Sequence, residues 1–337
     1  MKKFFKRLAA GVVGLTLLLA GCGSQSDEIR LGTGGVGGKY YTYGNAMAQL
    51  VEDDVDGESF VVKATAGSAA NLRLMNEGFL QMAIVQSDLL LDAYDGTGVF
   101  ADYGKCTGYS AVAGLYTEAC QVVVPADSDI QTVFDLYGKT VSLGEEESGV
   151  VQNARQILQV YGLSEDLVQA KYLSFSDSAE KMSEGKLDAF FCTAGAPTTA
   201  VEELAREKNI RVLSLDAESM EKVMQLHDGY TTCVIPAGTY DGQTEDVTTL
   251  GVKAVLIASN ELASDRVEKI TRSLFAHGQE LQYAVSGKTG LDMAFATKDI
   301  PGGFHPGAAA YYKDQDISVE VSTQTQGAAS ATQTRKN

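Results

Sequence analysis

Glycines and small polar residues at the ends of predicted strands are the part of this sequence best suited to hold a ligand. The stretch IRLGTGGVGGKYY, residues 29–41, places five glycines between a predicted strand and a predicted helix. Glycine has no Cβ, so backbone N–H groups in such a loop can approach a ligand closely, and the following helix presents the positive end of its dipole. This loop therefore predicts a site for an anionic oxygen.

The same loop matches a dinucleotide-binding pattern, but the rest of that pattern is missing. Gly32, Gly34 and Gly37 have the spacing of the G-x-G-x-x-G fingerprint. A nucleotide site of this kind also needs an acidic residue at the end of the second strand to bind the ribose. Residues 62–66 there read VKATA, and the nearby acidic residues precede the strand. The sequence thus argues against NAD, and no cofactor is expected.

Three further loops repeat the arrangement of a strand, small polar residues and a helix. They are residues 65–71 (TAGSAAN), 85–88 (VQSD) and 142–149 (SLGEEESG). In open α/β sheets, ligands bind outside the carboxyl ends of the strands. Four such loops, distributed over two parts of the chain, predict a ligand-binding cleft.

Other side chains that could do chemistry are scattered. After Cys22 the cysteines are Cys106, Cys120, Cys192 and Cys233, without a C-x-x-C pair and without histidines at metal-binding spacing. Their spacing permits up to two disulfides in an exported protein, or four buried thiols. No Ser/His/Asp or Cys/His set can be assembled from local motifs. We therefore expect neither a metal site nor an enzyme.

The N-terminus has the form of a bacterial lipoprotein export signal. A basic head, MKKFFKR, is followed by an apolar run from Leu8 to Ala20, and the sequence LAGC ends at Cys22. A run of about 13 apolar residues suits a signal peptide, whereas a bilayer-spanning helix needs about 20. We predict a signal peptide over residues 1–21, a lipid on Cys22 and a tether to residue 28. The mature protein would then lie on the extracytoplasmic face of the cell membrane.

Charge and length narrow the choice of partners. Without the four basic residues of the leader, 23 basic side chains stand against 44 acidic ones, a net charge of −21. Such a surface argues against nucleic acid as a partner, and it makes membrane attachment depend on the lipid.

The length of the chain predicts two lobes. A chain of 337 residues is longer than a single hydrophobic core usually serves.

The apolar pattern alternates short strands with amphipathic helices, which predicts an α/β fold with mostly parallel strands. We expect a first lobe from residues 29–117 plus 237–313, a second lobe from 118–236, and a disordered tail over 314–337. The predicted strands are 29–33, 59–65, 82–85, 112–116, 121–124, 140–143, 171–174 and 189–193. The predicted helices are 40–52, 69–77, 150–161, 176–184, 197–208 and 264–286, with a short helix near Asp129.

Five separated motifs resemble the TAXI-type solute receptors of TRAP (tripartite ATP-independent periplasmic) transporters. Together they span residues 28–313, almost the whole mature chain. They are GGVGGKYY (34–41), GSAANLRL (67–74), AIVQSD (83–88), DLYGKTVSLG (135–144), and the closing IP (300–301) with HPGA (305–308) and YY (311–312).

The resemblance implies two α/β lobes in a type II-like periplasmic-binding-protein fold, with a hinge that closes over a small organic acid or amino acid such as glutamate. It also implies a monomer that catalyses nothing and delivers its ligand to an ion-gradient-driven permease. A receptor for an ATP-driven importer and a sensor that signals to a membrane protein are the alternatives. The ligand contacts implied by the motifs are Gly34, Gly35, Gly37, Tyr41, Ser68, Asn71, Gln86, Ser87, Glu118, Ser142, Ser148, Gly149 and Gly195.

Three features qualify the resemblance. Lys39 stands where the family tends to have a small or hydroxylated residue, so it could pair with a second acid group of the ligand or point to water. The run Glu145–Glu147 would oppose a dianionic ligand if it faced the cleft, and would be an ordinary acidic helix start if it faced outward. His305–Gly307 reads as a structural turn, and Tyr311 and Tyr312 read as packing residues.

Overall fold

The computed structural model describes residues 28–284 and 291–323, which form ten strands and eleven α-helices. The predicted signal peptide, Cys22 and most of the tether lie outside the described residues. The strands are β1 Ile29–Gly32, β2 Phe60–Lys63, β3 Met82–Gln86, β4 Tyr109–Pro125, β5 Thr140–Ser142, β6 Gln169–Lys171, β7 Ala189–Ala194, β8 Ile210–Val212, β9 Thr231–Ile235 and β10 Val247–Ser259. The helices are α1 Lys39–Asp54, α2 Ser68–Asn76, α3 Ser87–Asp95, α4 Gly149–Val160, α5 Phe175–Ser183, α6 Thr199–Glu207, α7 Ala217–Leu226, α8 Ser264–Ala276, α9 Gly278–Ala284, α10 Met293–Thr297 and α11 Pro306–Asp314.

All ten strands belong to one mixed sheet, which confirms the α/β prediction. Its main order is β2-β1-β3-β10-β4-β7-β5-β6, while β8 pairs with β4 and β9 pairs with β10. The parallel pairs lie towards the two ends, in β2-β1-β3 and in β7-β5-β6. The long strands β4 and β10 run antiparallel to each other and to their neighbours. We call the part built on β1, β2 and β3 the first half, and the part built on β5, β6 and β7 the second half.

The strands β4 and β10 pass through both halves. The predicted strands 112–116 and 121–124 are parts of the single 17-residue strand β4, which is buried except at Tyr116, Thr117 and its last residue. In β10, Leu250 and Val252 pack in a core of the second half, while Val255 and Leu256 pack in the core of the first. The segment 237–313, which the sequence assigns to the first lobe, thus contributes side chains to the cores of both halves.

Separate hydrophobic cores support the two halves. In the first half, side chains of α1, α2, α3, α8 and α11 cover the sheet, and residues such as Leu72 and Ile84 are fully buried. In the second half, α4 and α7 cover one face of the sheet and α6 covers the other. Helix α4 shows why the sequence folds this way, because Val150, Ala154 and Ile157 recur at helical spacing and are all buried.

Two predicted helices differ from the structure. The helix predicted over 264–286 ends at Ala276, and α9 begins at Gly278, since glycine is a poor residue for a helix interior. The short helix expected near Asp129 is a 3-10 turn over Val133–Leu136, capped reciprocally by Thr132 and Asp135. Asp129 lies before this turn and forms an ion pair with Lys139 at 2.8 Å.

The C-terminal segment is bound to the first half. His305 caps α11 by accepting a hydrogen bond from the N–H of Gly307 on Nδ1, and Tyr311 stacks on Phe275, so both structural interpretations of this motif are confirmed. Beyond α11, the Ser322 N–H donates to the carbonyl of Phe304 at 2.8 Å. These contacts hold residues 314–323, the first part of the predicted disordered tail, against the first half. Residues 324–337 lie outside the described residues.

All four cysteines after Cys22 are free thiols, so the structure contains no disulfide between Cys106, Cys120, Cys192 and Cys233. Over residues 28–284 and 291–323, no three His, Cys, Asp or Glu side chains are grouped so that they could hold a metal ion. In the same part of the chain, no helix combines the length and the apolar character that crossing a membrane requires.

Candidate functional site

A cavity of about 280 Å³ lies between the two halves, at the carboxyl ends of the parallel strands. Both halves contribute to its wall. The lining residues are Gly34, Gly35, Val36, Gly37, Gly38, Lys39, Tyr40, Ala66, Gly67, Ser68, Gln86, Glu118, Glu145, Ser148, Gly149, Val150, Leu173, Ser174, Phe175, Ser176, Thr193 and Ala194. We call this cavity the interlobe pocket.

Five helices begin at the wall of the interlobe pocket. The N-caps of α1 to α5, which are Gly38, Gly67, Gln86, Ser148 and Ser174, all line it. Each helix start carries a partial positive charge and amide N–H groups without a partner inside the helix. Their convergence from two halves makes the pocket a favourable place for an anionic group.

The helix starts differ in how they are capped. Ser148 Oγ accepts a hydrogen bond from the N–H of Val151 at 3.2 Å, and Ser174 Oγ accepts one from Asp177 at 3.1 Å. The N-caps of α1 and α2 are glycines, which offer no capping side chain. The N–H of Ala70 in the first turn of α2 instead donates to the carbonyl of Glu147 at 3.0 Å.

A buried carboxyl group forms another part of the wall. Glu118 on β4 is 2% exposed, and its Oε2 accepts a hydrogen bond from the hydroxyl of Tyr40 at 2.6 Å. The Ser68 hydroxyl in turn accepts a hydrogen bond from the N–H of Gln86 at 3.1 Å. Burial, and to a lesser degree the nearby Asp88 carboxylate, raises the pKa of Glu118 to about 8. A cationic ligand group would stabilise the ionised form of this acid.

Lys39 and Glu145 add further charge to the pocket. Lys39 is 4% exposed, and burial lowers its pKa although Glu202 opposes that shift. Glu145 is half-buried, and burial together with Asp177 raises its pKa. Of the run Glu145–Glu147, only Glu145 lines the pocket. A ligand would thus meet one lysine and two carboxyl groups among the helix starts.

The remaining two glutamates of that run face outward, as the simpler interpretation of the run predicts. Glu146 and Glu147 are exposed. Glu147 forms an ion pair with Arg73 of the first half at 3.0 Å. This pair joins the halves at the rim of the pocket and does not oppose a ligand inside it.

The structure brings together eight of the thirteen predicted contact residues. Those that line the pocket are Gly34, Gly35, Gly37, Ser68, Gln86, Glu118, Ser148 and Gly149. The other five are placed elsewhere, and they are Tyr41, Asn71, Ser87, Ser142 and Gly195.

These five residues have neighbours of their own. Asn71 donates to the carbonyls of Thr33 and Ile84 at 2.7 and 2.9 Å, which fixes two strand ends. Two serine hydroxyls also form hydrogen bonds within the protein. The Ser142 hydroxyl accepts one from Ser178 at 2.8 Å, and the Ser87 hydroxyl accepts one from the N–H of Lys253 at 3.3 Å. A Cβ on Gly195 would lie 3.3 Å from the ring of Tyr116.

Sequence reasoning selected Tyr41, but Tyr40 faces the pocket. Helix α1 begins at Lys39, and the helical period turns Tyr40 inward while Tyr41 stays half-buried on the other side. The segment Leu173–Ser176 is also absent from the predicted contacts, although Ser174 ends a predicted strand and lies just before a predicted helix. The same strand-end rule that selected the other four loops would have found it.

The two halves are in contact around the pocket, so the structure shows a closed arrangement. Gln86 Nε2 donates to Asn153 Oδ1 at 3.2 Å, and the N–H of Ala70 donates to the carbonyl of Glu147 at 3.0 Å. A Cβ on Gly149 would lie 1.8 Å from Gln86 Oε1. Glycine at this position is what lets the halves approach so closely.

Two α/β halves with the interlobe pocket between them define a two-lobed α/β fold. The model of the NMT1-like family matches residues 31–315, and the chain belongs to this family.

Two solved structures illustrate what the chain is similar to. One is the alkanesulfonate-binding protein from Xanthomonas axonopodis pv. citri bound to MOPS, with 15% identity, 77% of each chain covered and a TM-score of 0.48. The other is a putative L-cystine ABC transporter protein from Listeria monocytogenes, with 13% identity, 79% of this chain and 98% of that chain covered, and a TM-score of 0.49.

Proposed function

We propose that this chain is a lipid-anchored extracytoplasmic receptor that captures a small amino acid or organic acid and passes it to a membrane transporter. The observation that carries the proposal is the meeting of five helix starts and the buried Glu118 in one enclosed pocket between two halves. Membership of the NMT1-like family supports a two-lobed receptor. The export signal predicted from the sequence supports the location.

The pocket suits a ligand that carries both an anionic and a cationic group. A carboxylate at the starts of α1 and α2 would accept hydrogen bonds from their amide groups. An ammonium group beside Glu118 would meet a carboxylate whose other neighbour is the Tyr40 hydroxyl. Lys39 would pair with a second acid group, as in glutamate. A volume of about 280 Å³ is near the lower end for small-ligand sites, which favours a compact molecule.

We expect glutamate-like amino acids to raise the melting temperature of the purified chain. The sample would be residues 22–337 with Cys22→Ser, screened against amino acids, monocarboxylates, dicarboxylates and sugars. A ligand that binds only the folded state stabilises it by about 2.7 kcal/mol at a hundred times its dissociation constant. The matched control is the amine that lacks the α-carboxylate, which should give a much smaller shift. No shift with any compound would contradict the receptor proposal.

For the transporter, we propose the ion-gradient-driven TRAP type, because five motifs of the chain resemble TAXI receptors. We expect addition of the lipidated receptor to stimulate solute uptake into cells or vesicles that hold its permease. A collapsed ion gradient should abolish this uptake while ATP is still present. Uptake that instead follows ATP would assign the receptor to an ATP-driven importer. Unchanged uptake with altered gene expression after deletion would indicate a sensor.

A further inference from the structure

A second buried carboxyl group, Asp88, lies outside the interlobe pocket at the contact between the halves. Asp88 belongs to the first turn of α3 in the first half, and it is 7% exposed. Its Oδ2 accepts a hydrogen bond from Asn153 Nδ2 of α4, in the second half, at 2.9 Å. Its Oδ1 is buried without a hydrogen-bond partner among the described residues. The carboxyl is therefore removed from water by the contact between the halves.

Asp88 is part of a polar cluster that crosses this contact. Asn153 is fully buried, accepts a hydrogen bond from Gln86 and donates to the hydroxyl of Tyr230 at 2.5 Å. The Tyr230 hydroxyl in turn donates to Gln156 Oε1 at 2.5 Å. The cluster has acceptors to spare, because the Oε1 of Gln86 also lacks a partner within the described part of the chain. Two oxygens of the cluster, Asp88 Oδ1 and Gln86 Oε1, are thus buried with no donor among the described residues.

The charged and titratable groups around Asp88 do not favour its ionised form. Asp92 lies one turn further along α3 and raises the pKa of Asp88, and Glu118 on β4 is a second nearby acid. From the second half, Tyr230 and Cys120 face it, and burial raises the pKa of each.

One histidine lies near this contact. His227, which follows α7, interacts with Asp92, and burial lowers its pKa. Its protonation is therefore disfavoured in the closed form.

Hydrogen bonds from the Leu89 N–H and from Asn153 stabilise the carboxylate of Asp88, but burial outweighs them and raises its pKa to about 7. An aspartate in water has a pKa near 4. The same side chain thus binds a proton more tightly when the halves are together than when they are apart.

We propose that closure of the two halves takes up one proton from solvent at Asp88, so that the receptor closes more readily at mildly acidic pH. The inference rests on the proposed function in one respect, that the halves open and close around a solute. An open receptor exposes Asp88 to water as a carboxylate, and closing buries it with the added proton on a carboxyl oxygen.

The direction of the pH dependence follows from the two protonation states. Between about pH 4 and pH 7, the open form is ionised and the closed form is protonated. The ratio of closed to open molecules should therefore rise up to about tenfold for each unit that the pH falls through this range. Above pH 7 both forms are ionised, the penalty for burying the charge is fully present, and the ratio should level off.

The test measures closure without any solute. Spin labels on Lys63→Cys at the end of β2 and Lys171→Cys at the end of β6 report the distance across the sheet, in a chain with Cys22 and Cys233 replaced by Ser. Both labelled positions are exposed. Since closing also buries Glu118 and Glu145, and burial raises the pKa of both, the comparison is made in the Glu118→Gln/Glu145→Gln background.

In that background we expect the population of molecules with the short distance between the two labels to grow as the pH falls from 8 to 5. The Asp88→Asn substitution should remove this growth. Asp88→Ala should give the same result if the asparagine variant folds poorly. The matched control Asp95→Asn, an exposed acid at the end of α3, should keep the growth. His227 would act in the opposite direction, because closing disfavours its protonated form.

The inference would be overturned if the short-distance population still grew at low pH in the Asp88 variants. It would also be overturned if this population did not grow in the chain that keeps Asp88. The outcome is separable from that of the proposed function. A chain that shows this pH dependence but binds no solute would contradict only the receptor proposal. A chain that binds solute without the dependence would contradict only the inference.

Discussion

Glu118→Gln should weaken binding of an ammonium-bearing ligand by about 30-fold or more while leaving the protein folded. Glutamine has nearly the same size as glutamate, and its carbonyl can still accept the hydrogen bond from Tyr40. It cannot supply the negative charge, and loss of one partner from a buried charged pair costs about 2 kcal/mol or more. Titration calorimetry with the ligand found in the thermal-shift screen would measure the change.

Two comparisons make the Glu118 result specific. Glu146→Gln removes an acid from the exposed part of the loop before α4 and should leave the affinity unchanged. A ligand that has the carboxylate but no ammonium group should lose little affinity in the Glu118→Gln variant. Equal affinity of the variant and the parent chain for the ammonium-bearing ligand would mean that Glu118 does not contact the ammonium.

Gly149→Ala should hold the two halves apart and weaken solute binding by roughly tenfold to a hundredfold. The added methyl group would occupy the position of the Gln86 side-chain amide, which is held in place by Asn153 at 3.2 Å. Overpacking of this kind costs about 1–3 kcal/mol. The two residues belong to different halves, so the clash arises on closing and spares the fold of each half. Small-angle scattering should show a larger radius of gyration.

Gly34→Ala is the matched control for closure. Gly34 also lines the interlobe pocket, but a Cβ there would lie 3.7 Å from the nearest atom, in the ring of Tyr40. Its methyl group therefore meets ordinary contact distances, and the control should keep the dimensions of the parent chain. The role assigned to Gly149 would be refuted if the Gly149→Ala chain were as compact as this control and bound solute as tightly as the parent chain.

Local patterns predicted much of this protein correctly. Apolar runs followed by small polar residues identified β1, β2, β3 and β5 and the loops after them, because a buried strand and a helix start each have a composition of their own. The apolar alternation and the chain length predicted an α/β fold with two lobes. The thirteen candidate contacts were implied by the resemblance to TAXI receptors, and eight of them line the pocket. At the start of α1 the motif indicated Tyr41, whereas Tyr40 lines the pocket, since successive residues of a helix are rotated by about 100°.

The sequence by itself determined the α/β class, the acidic surface and the loops that can receive an anion, because these depend on composition and on short-range spacing. Only the tertiary structure decided that β4 and β10 run through both halves, since apolar periodicity does not show which strands pair. The tertiary structure also placed Glu118 and Asp88 in buried surroundings. The pKa of a carboxyl group depends on solvent exposure and on neighbours from distant parts of the chain, such as Tyr40 and Asn153, which no local pattern encodes.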